Sequence, residues 1–383
     1  MKDPAKQSEM LQIRNVLFFM AVLMTLYVFK LASTVVIPIV IAFFCFVILS
    51  PLMNRMDRIK IPFALTVVFG LLIVVAVFVA FVYTIVLMAN TLMVGIPNYV
   101  DRVSSLDSEV SAYLIEFFDF PANFSIIKSL NIDWYGLAMT SLQSISGRIV
   151  TFFSKGMLIL VFLLFLLIER KSFLPKIQAA YSDENDSQRP VILMSKMNKQ
   201  ISRYLIVKLC LSAATGICFY SSAVLMGLDF AIVWGILAFV LNFIPTIGSI
   251  VITVMTILMA IIQFMPNPSP IIGVALINIT IEMVIGNILD PKIQGEHLNL
   301  SPVALLISLS IWGYIWGIVG MFLAVPLTGI LQIVLANIPS TRKFAIMLSG
   351  GSAYVRDSRT RVKKKNDKPG MPDIILPEKS GKH

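Results

Sequence analysis

Glu282 is the residue to start from, because it lies near the centre of an apolar stretch, Ile271–Leu289, where an ionisable side chain is expensive and marks a function by default. Asn278, one helical turn earlier, and Gly286, one turn later, share its face, with Asn287 beside them. A carboxyl group so placed can exchange a proton or hold a cation when a partner lowers its cost. The alternative is a protonated glutamate that hydrogen-bonds Asn278 for packing alone. A second polar group interrupts another apolar run, Phe230 to Ile262: the stretch LNFIPTIGSI carries Asn242, Pro245, Thr246, Gly248 and Ser249. Pro245 removes a backbone donor and disfavours helix at Ile244, Gly248 tolerates the dihedrals of a tight turn, and Ser249 can cap a new helix. A break at that depth exposes backbone carbonyls that attract cations and amides that attract anions or oxygen-rich groups. The simpler alternative is a kink whose polar side chains satisfy the freed backbone.

The elements that must hold these groups follow from composition. Of 383 residues, 57% are hydrophobic and 14% charged, with a mean hydropathy of +0.87. A soluble chain carries about 25% charged residues, so this is an integral membrane protein of the all-α, polytopic class. A crossing takes about 20 apolar residues, and single crossings are expected at Val16–Leu31, Val35–Met53, Phe63–Met88, Val150–Ile168, Tyr204–Met226 and Ile271–Leu289. The first is expected to be a retained helix, since Val35–Met53 follows almost at once and Asp3 and Glu9 precede it.

Two runs overshoot. Residues 230–263 would span about 51 Å as one helix and 302–337 about 54 Å, so each is expected to fold back as a helical hairpin. LNFIPTIGSI is then the tip of the first. The tip of the second falls in Gly313–Gly320, where Gly313, Gly317 and Gly320 could equally form a helix-contact face, followed by Pro326. With hairpins, residues 263–269 and 294–299 lie on opposite sides of the membrane, outside and inside respectively; bent single crossings would swap them.

Charge sets the expected orientation. Arg55, Arg58 and Lys60 crowd one short loop, seven Lys or Arg fall in 169–203 and eleven follow Pro339, whereas 91–149 holds three against six acids. The termini and basic loops are therefore expected to be cytoplasmic and 91–149 external. The net charge of +10 reads as this topology signal, not as nucleic-acid binding. The expected organisation is N-terminal membrane helices (1–90), an external helical insert (91–149), a crossing with a cytoplasmic loop (150–203), a transport core with the hairpins (204–338) and a basic, largely disordered tail (339–383). In the insert, Val103, Leu106, Val110, Leu114 and Phe117 recur at helical spacing, as do Trp134, Leu137, Leu142, Ile145 and Ile149. These two amphipathic helices either pack on each other or against another subunit of a homo-oligomer. Lys155 and Lys208, near helix ends, are expected to snorkel to the interface, and Asp290 and Lys292, flanking Pro291, to serve loop structure. Cys45, Cys210 and Cys218 lie in apolar segments, the last two about 12 Å apart on one helix, too far to bridge.

No metal or cofactor site and no enzyme motif is recognised: HExxH, GxSxG, a P-loop and CxxC are all absent, and His297 stands alone in a polar loop. The stretches GLDFAIVWGILAFVLNFIPTIGS (227–249), GNILDPKIQG (286–295), LSP (300–302) and GIVGMFLAVP (317–326) together resemble the autoinducer-2 exporter-like transporter family, the PerM-type permeases, over about residues 10–340. The resemblance implies efflux of a small polar solute or signal, or sodium/proton exchange, in a bacterial inner membrane. The expectation is a secondary transporter whose hairpin tips and Glu282 line the pathway. The alternatives are a monovalent cation/proton antiporter with Glu282 as exchange site, and a non-transporting scaffold or sensor.

Overall fold

A computed structural model describes residues 4–118, 134–180, 188–294, 300–338 and 341–350, with Pro121, Ser125 and Ser129 placed singly between the first two. The tail beyond 350, the loop residues 295–299 that contain His297, and Phe117 as a side chain lie outside the described residues. Two compact units divide at Gly295. Every described element is helical, and the single extended pairing is an isolated bridge between Leu300 and Ser349.

The first unit opens with α1 (Pro4–Leu31), α2 (Ser33–Arg58) and α3 (Phe63–Gly95), then α4 (Pro97–Phe118), α5 (Trp134–Ala180) and α6 (Gln188–Met226). Seven helices among the described residues are long and apolar enough to cross a membrane. The expected first crossing is shorter than that: the apolar part of α1 is Phe19–Leu31. The apolar core of α5 is Thr151–Phe173, so its N-terminal third, residues 134–150, lies outside that apolar segment. Most side chains of the second amphipathic stretch lie outside the described residues. The first stretch, α4, lies on α3, α5 and a later helix of its own chain, with Leu106 buried.

One core gathers Ala42, Leu49 and Met53 of α2, Val67 of α3, and Leu163 and Leu167 of α5. Large apolar residues on the outward faces, such as Leu65, Leu72 and Val77 of α3 and Phe165 of α5, are exposed, as a lipid-facing surface requires. Lipid is as apolar as these side chains, so close van der Waals packing carries the helix association. Small residues let α6 approach α7 (Ala231–Leu241) closely: a Cβ on Gly216 would lie 2.8 Å from the Gly235 carbonyl oxygen.

The run 230–263 folds back as expected. It forms α7 and α8 (Ile247–Phe264) joined by a tight corner at 242–246. The Gln263 amide donates to the Gly227 carbonyl at 2.7 Å and accepts from the Asp229 N–H at 2.8 Å, contacts across 34 to 36 residues that a continuous helix cannot make. The chain continues through α9 (Pro268–Glu282), a π-helical segment (Met283–Leu289) and α10 (Asp290–Gln294). Phe219, Ala223, Trp234, Ala238, Ile252 and Val274 form the core shared by α6, both hairpin legs and α9.

In the second unit, α11 (Pro302–Asn337) is broken at Gly317, where φ is 63° and ψ is −143°. Ser308 donates to the Ala324 carbonyl at 3.1 Å and bonds Thr328, and the Trp312 indole donates to Thr328 at 3.2 Å. Residues 16 and 20 apart meet only if the chain reverses, so this run is also a hairpin. Gly317 supplies a dihedral pair closed to other residues, and a Cβ on Gly320 would sit 1.9 Å from the Trp312 carbonyl. Gly313 packs against Met321, and Pro326 is buried in the returning leg. The glycines thus make the reversal itself. The short helix α12 (Arg342–Leu348) packs on α11.

Candidate functional site

The first hairpin brings the interrupted motif against the face of α9 that carries Glu282. Between them lies a cavity of about 540 Å³, lined from the tip by Asn242, Pro245, Thr246 and Ser249, from the α9–π face by Glu282, Gly286 and Asn287, and by Lys208 and Asp290. Seven of the nine residues read from the sequence as pathway candidates line one space. Gly248 and Asn278 stand just outside it.

The tip is built differently from its expectation. The positive φ falls on Thr246, at 64° with ψ of −53°, and Gly248 is already helical. A β-branched residue in that region is a true outlier, and such strain persists only where the surroundings fix it, often at ligand sites. Gly248 is required for space: a Cβ there would lie 1.8 Å from the Leu241 carbonyl oxygen. Ser249 does not cap α8; its hydroxyl donates to the Glu282 carboxyl. Asn242, buried, is anchored by its amide donating to Ser212 on α6 at 3.0 Å.

Glu282 has one oxygen held by Ser249 while Oε1 is buried with no hydrogen-bond partner. Asn278 does not supply the missing bond. Its carbonyl oxygen accepts from Ser222 at 2.8 Å and its amide donates to Thr256 at 3.0 Å, so Asn278 ties α6, α8 and α9 together behind the cavity. Gly286 leaves room beside the carboxylate, since a Cβ there would be 3.2 Å from Oε2.

Two charges that the sequence reading placed elsewhere belong to this site. Lys208 does not snorkel: it is 3% exposed, and its ammonium pairs with Asp290 at 2.9 Å. Asp290 opens α10 and lines the cavity, so it is no loop residue. Lys208 and Asp290 are 82 residues apart, and no spacing rule would join them. With Glu282 ionised, the cavity holds two carboxylates and one ammonium, one negative charge in excess. No cluster of three or more His, Cys, Asp or Glu that could hold a metal occurs among the described residues. Carboxyl, amide and hydroxyl groups of this kind suit a proton, a monovalent cation or a hydrogen-bonding solute.

Comparison with known proteins agrees with this membrane architecture. The family model described as AI-2E family transporter matches residues 17–340. A protein of Borreliella burgdorferi named only for transport is 31% identical over 351 residues, 91% of this chain and 94% of its own length. The AI-2 transport protein TqsA of Escherichia coli is 30% identical over 325 residues, covering 84% of this chain and 91% of its own. A transport-named protein of Haemophilus influenzae is 30% identical over 342 residues, 88% and 96% of the two chains. These are names of transport proteins, not of enzymes. The chain is a multi-pass membrane transporter and belongs to the AI-2E transporter family.

Proposed function

We propose that this protein is a secondary transporter of the bacterial inner membrane that exports a small polar solute by alternating access, with the tip–Glu282 cavity as its carrier site. The observation that carries the reading is the broken-helix tip facing a carboxylate whose second oxygen has no partner, in a cavity large enough for a small metabolite. A helix break at membrane depth is tolerated where it lines a cavity, and half-helix ends with neutral donors and acceptors suit an oxygen-rich cargo. The name of the Escherichia coli relative points to the signal molecule AI-2 as one such cargo. Orientation rests on the charge rule, with both termini cytoplasmic.

With Glu282 ionised, the cavity's excess negative charge favours a second reading, monovalent cation/proton antiport, in which Glu282 is the exchange site. Purified protein in liposomes with an imposed proton gradient separates the two. Gradient-driven flux of a small polar solute supports export, and sodium flux with opposite proton movement supports antiport. Flux of neither, from protein shown to be folded, would favour a scaffold and contradict both.

A further inference from the structure

The corner between α3 and α4 grips the base of the first hairpin, the end remote from the cavity. Arg102 on α4 donates through Nε to the Ile262 carbonyl at 3.2 Å and through a second guanidinium nitrogen to the Met265 carbonyl. These carbonyls lie at the C-terminal end of α8, where the last helical oxygens have no N–H of their own and a cation is favoured. Tyr99, less than one turn earlier, donates its phenol to Asp229 at the start of the other leg, and its ring lies 5.6 Å from that of Phe230. Phe230 in turn adopts a positive φ of 61° and rests on bare backbone: a Cβ on Gly95 would be 2.2 Å from its ring. Gln263 ties the two legs together at this level through Gly227 and Asp229. Two side chains of α4 thus hold both legs, one each.

The far end of the same lever is the carrier site. From Phe264 to Ile247, α8 runs 18 residues, about 27 Å of helix, and delivers Thr246 and Ser249 to Glu282. We propose that Tyr99 and Arg102 are positioning residues for the cavity: they lock the first hairpin to α4, so that the placement of α4 sets the placement of the tip. This clamp rests on the hairpin's geometry and stands whether or not the cargo is a polar solute. Any movement of the tip during a transport cycle must then either carry α4 along or break these bonds, and whatever binds α4 acts on the cavity through them. Burial, and then the bond to Asp229, hold the Tyr99 phenol above its ordinary range, so it remains the donor at physiological pH.

The test needs no substrate. In protein lacking Cys45, Cys210 and Cys218, Thr253→Cys places a reporter on the cavity wall, and its reaction rate with a water-soluble maleimide is measured in liposomes. Tyr99→Phe with Arg102→Met is expected to change that rate by about tenfold in either direction, the factor that corresponds to about 1.4 kcal/mol. Arg102→Lys, which keeps the charge and loses the planar fork, should give an intermediate change. A second protein whose only cysteine is Lys60→Cys, exposed in the loop between α2 and α3, should react at the same rate with and without the clamp, and the melting temperature should hold. An unchanged rate at Thr253→Cys overturns the proposal. So does an equal change at Lys60→Cys with a lowered melting temperature, which marks general loosening. Should the double variant not fold, the single variants Tyr99→Phe and Arg102→Lys decide, and no change in either overturns it. Failure of every transport assay leaves this readout intact.

Discussion

Lys208 is nearly enclosed, while its partner Asp290 keeps about a fifth of its side-chain surface exposed. Removing one member of a buried pair leaves the other charge uncompensated, at a cost of about 3–5 kcal/mol for full burial. For Lys208→Met, which strands the partly exposed Asp290, the lower end, about 3 kcal/mol, is expected as a fall in thermal stability in detergent. The double variant Lys208→Met with Asp290→Asn should recover most of that loss, because two neutral groups of similar size need no counter-charge. A double variant as unstable as the single would mean that Lys208 contributes by packing and not by pairing. At this scale the sequence was partly legible. The intramembrane position of Glu282 marked it at once, and the i, i+4 spacing put Gly286 on its face, while Asn287, five residues on, lines the same cavity from the π-helical segment. The partners were not legible. Ser249, Lys208 and Asp290 reach one another only through the hairpin and the approach of α6, and no local pattern encodes such contacts.

Both hairpins were expected from length, since 34 and 36 apolar residues exceed one crossing, but length did not separate a hairpin from a bent single crossing. Their internal mechanics were not legible. A proline and a glycine in LNFIPTIGSI announce a break, but whether glycine is there for dihedral freedom or for space depends on where the Leu241 carbonyl lies. Gly248→Ala should accordingly be severe, because the added carbon meets backbone that must move, and overpacking of this kind costs about 1–3 kcal/mol or more. Gly317→Ala is the contrasting case. A Cβ there has nothing within 4 Å, so its cost is dihedral strain alone, about 1–3 kcal/mol. Unfolding of both variants would check this. If Gly248→Ala costs no more than Gly317→Ala, the close approach at the first tip is not what limits it. The π-helical segment at Met283–Leu289, directly after Glu282, had no signal in the sequence. π-turns recur at functional sites, and here one separates the coupling candidate from the end of the Lys208–Asp290 pair.

Across the whole molecule, sidedness links the parts. The base of the first hairpin and the start of α4 touch through Tyr99 and Arg102, so both lie on one side of the membrane. An impermeant thiol reagent applied to intact cells should therefore label Asn267→Cys and Ser108→Cys alike and leave Lys60→Cys unlabelled. Labelling of Lys60→Cys but neither of the others would reverse the proposed orientation, and a split between Asn267→Cys and Ser108→Cys would contradict the fold. We propose, under either transport reading, that Glu282 loads and releases the coupling ion in the tip cavity. Its most direct test is flux in liposomes across a pH series for wild type, Glu282→Gln and Glu282→Asp. Glutamine keeps the size and can accept from Ser249 but is fixed neutral. A folded Gln variant that loses gradient-driven flux is expected, with an Asp variant that keeps part of it at a shifted pH optimum. A Gln variant whose flux and pH profile match wild type would contradict it.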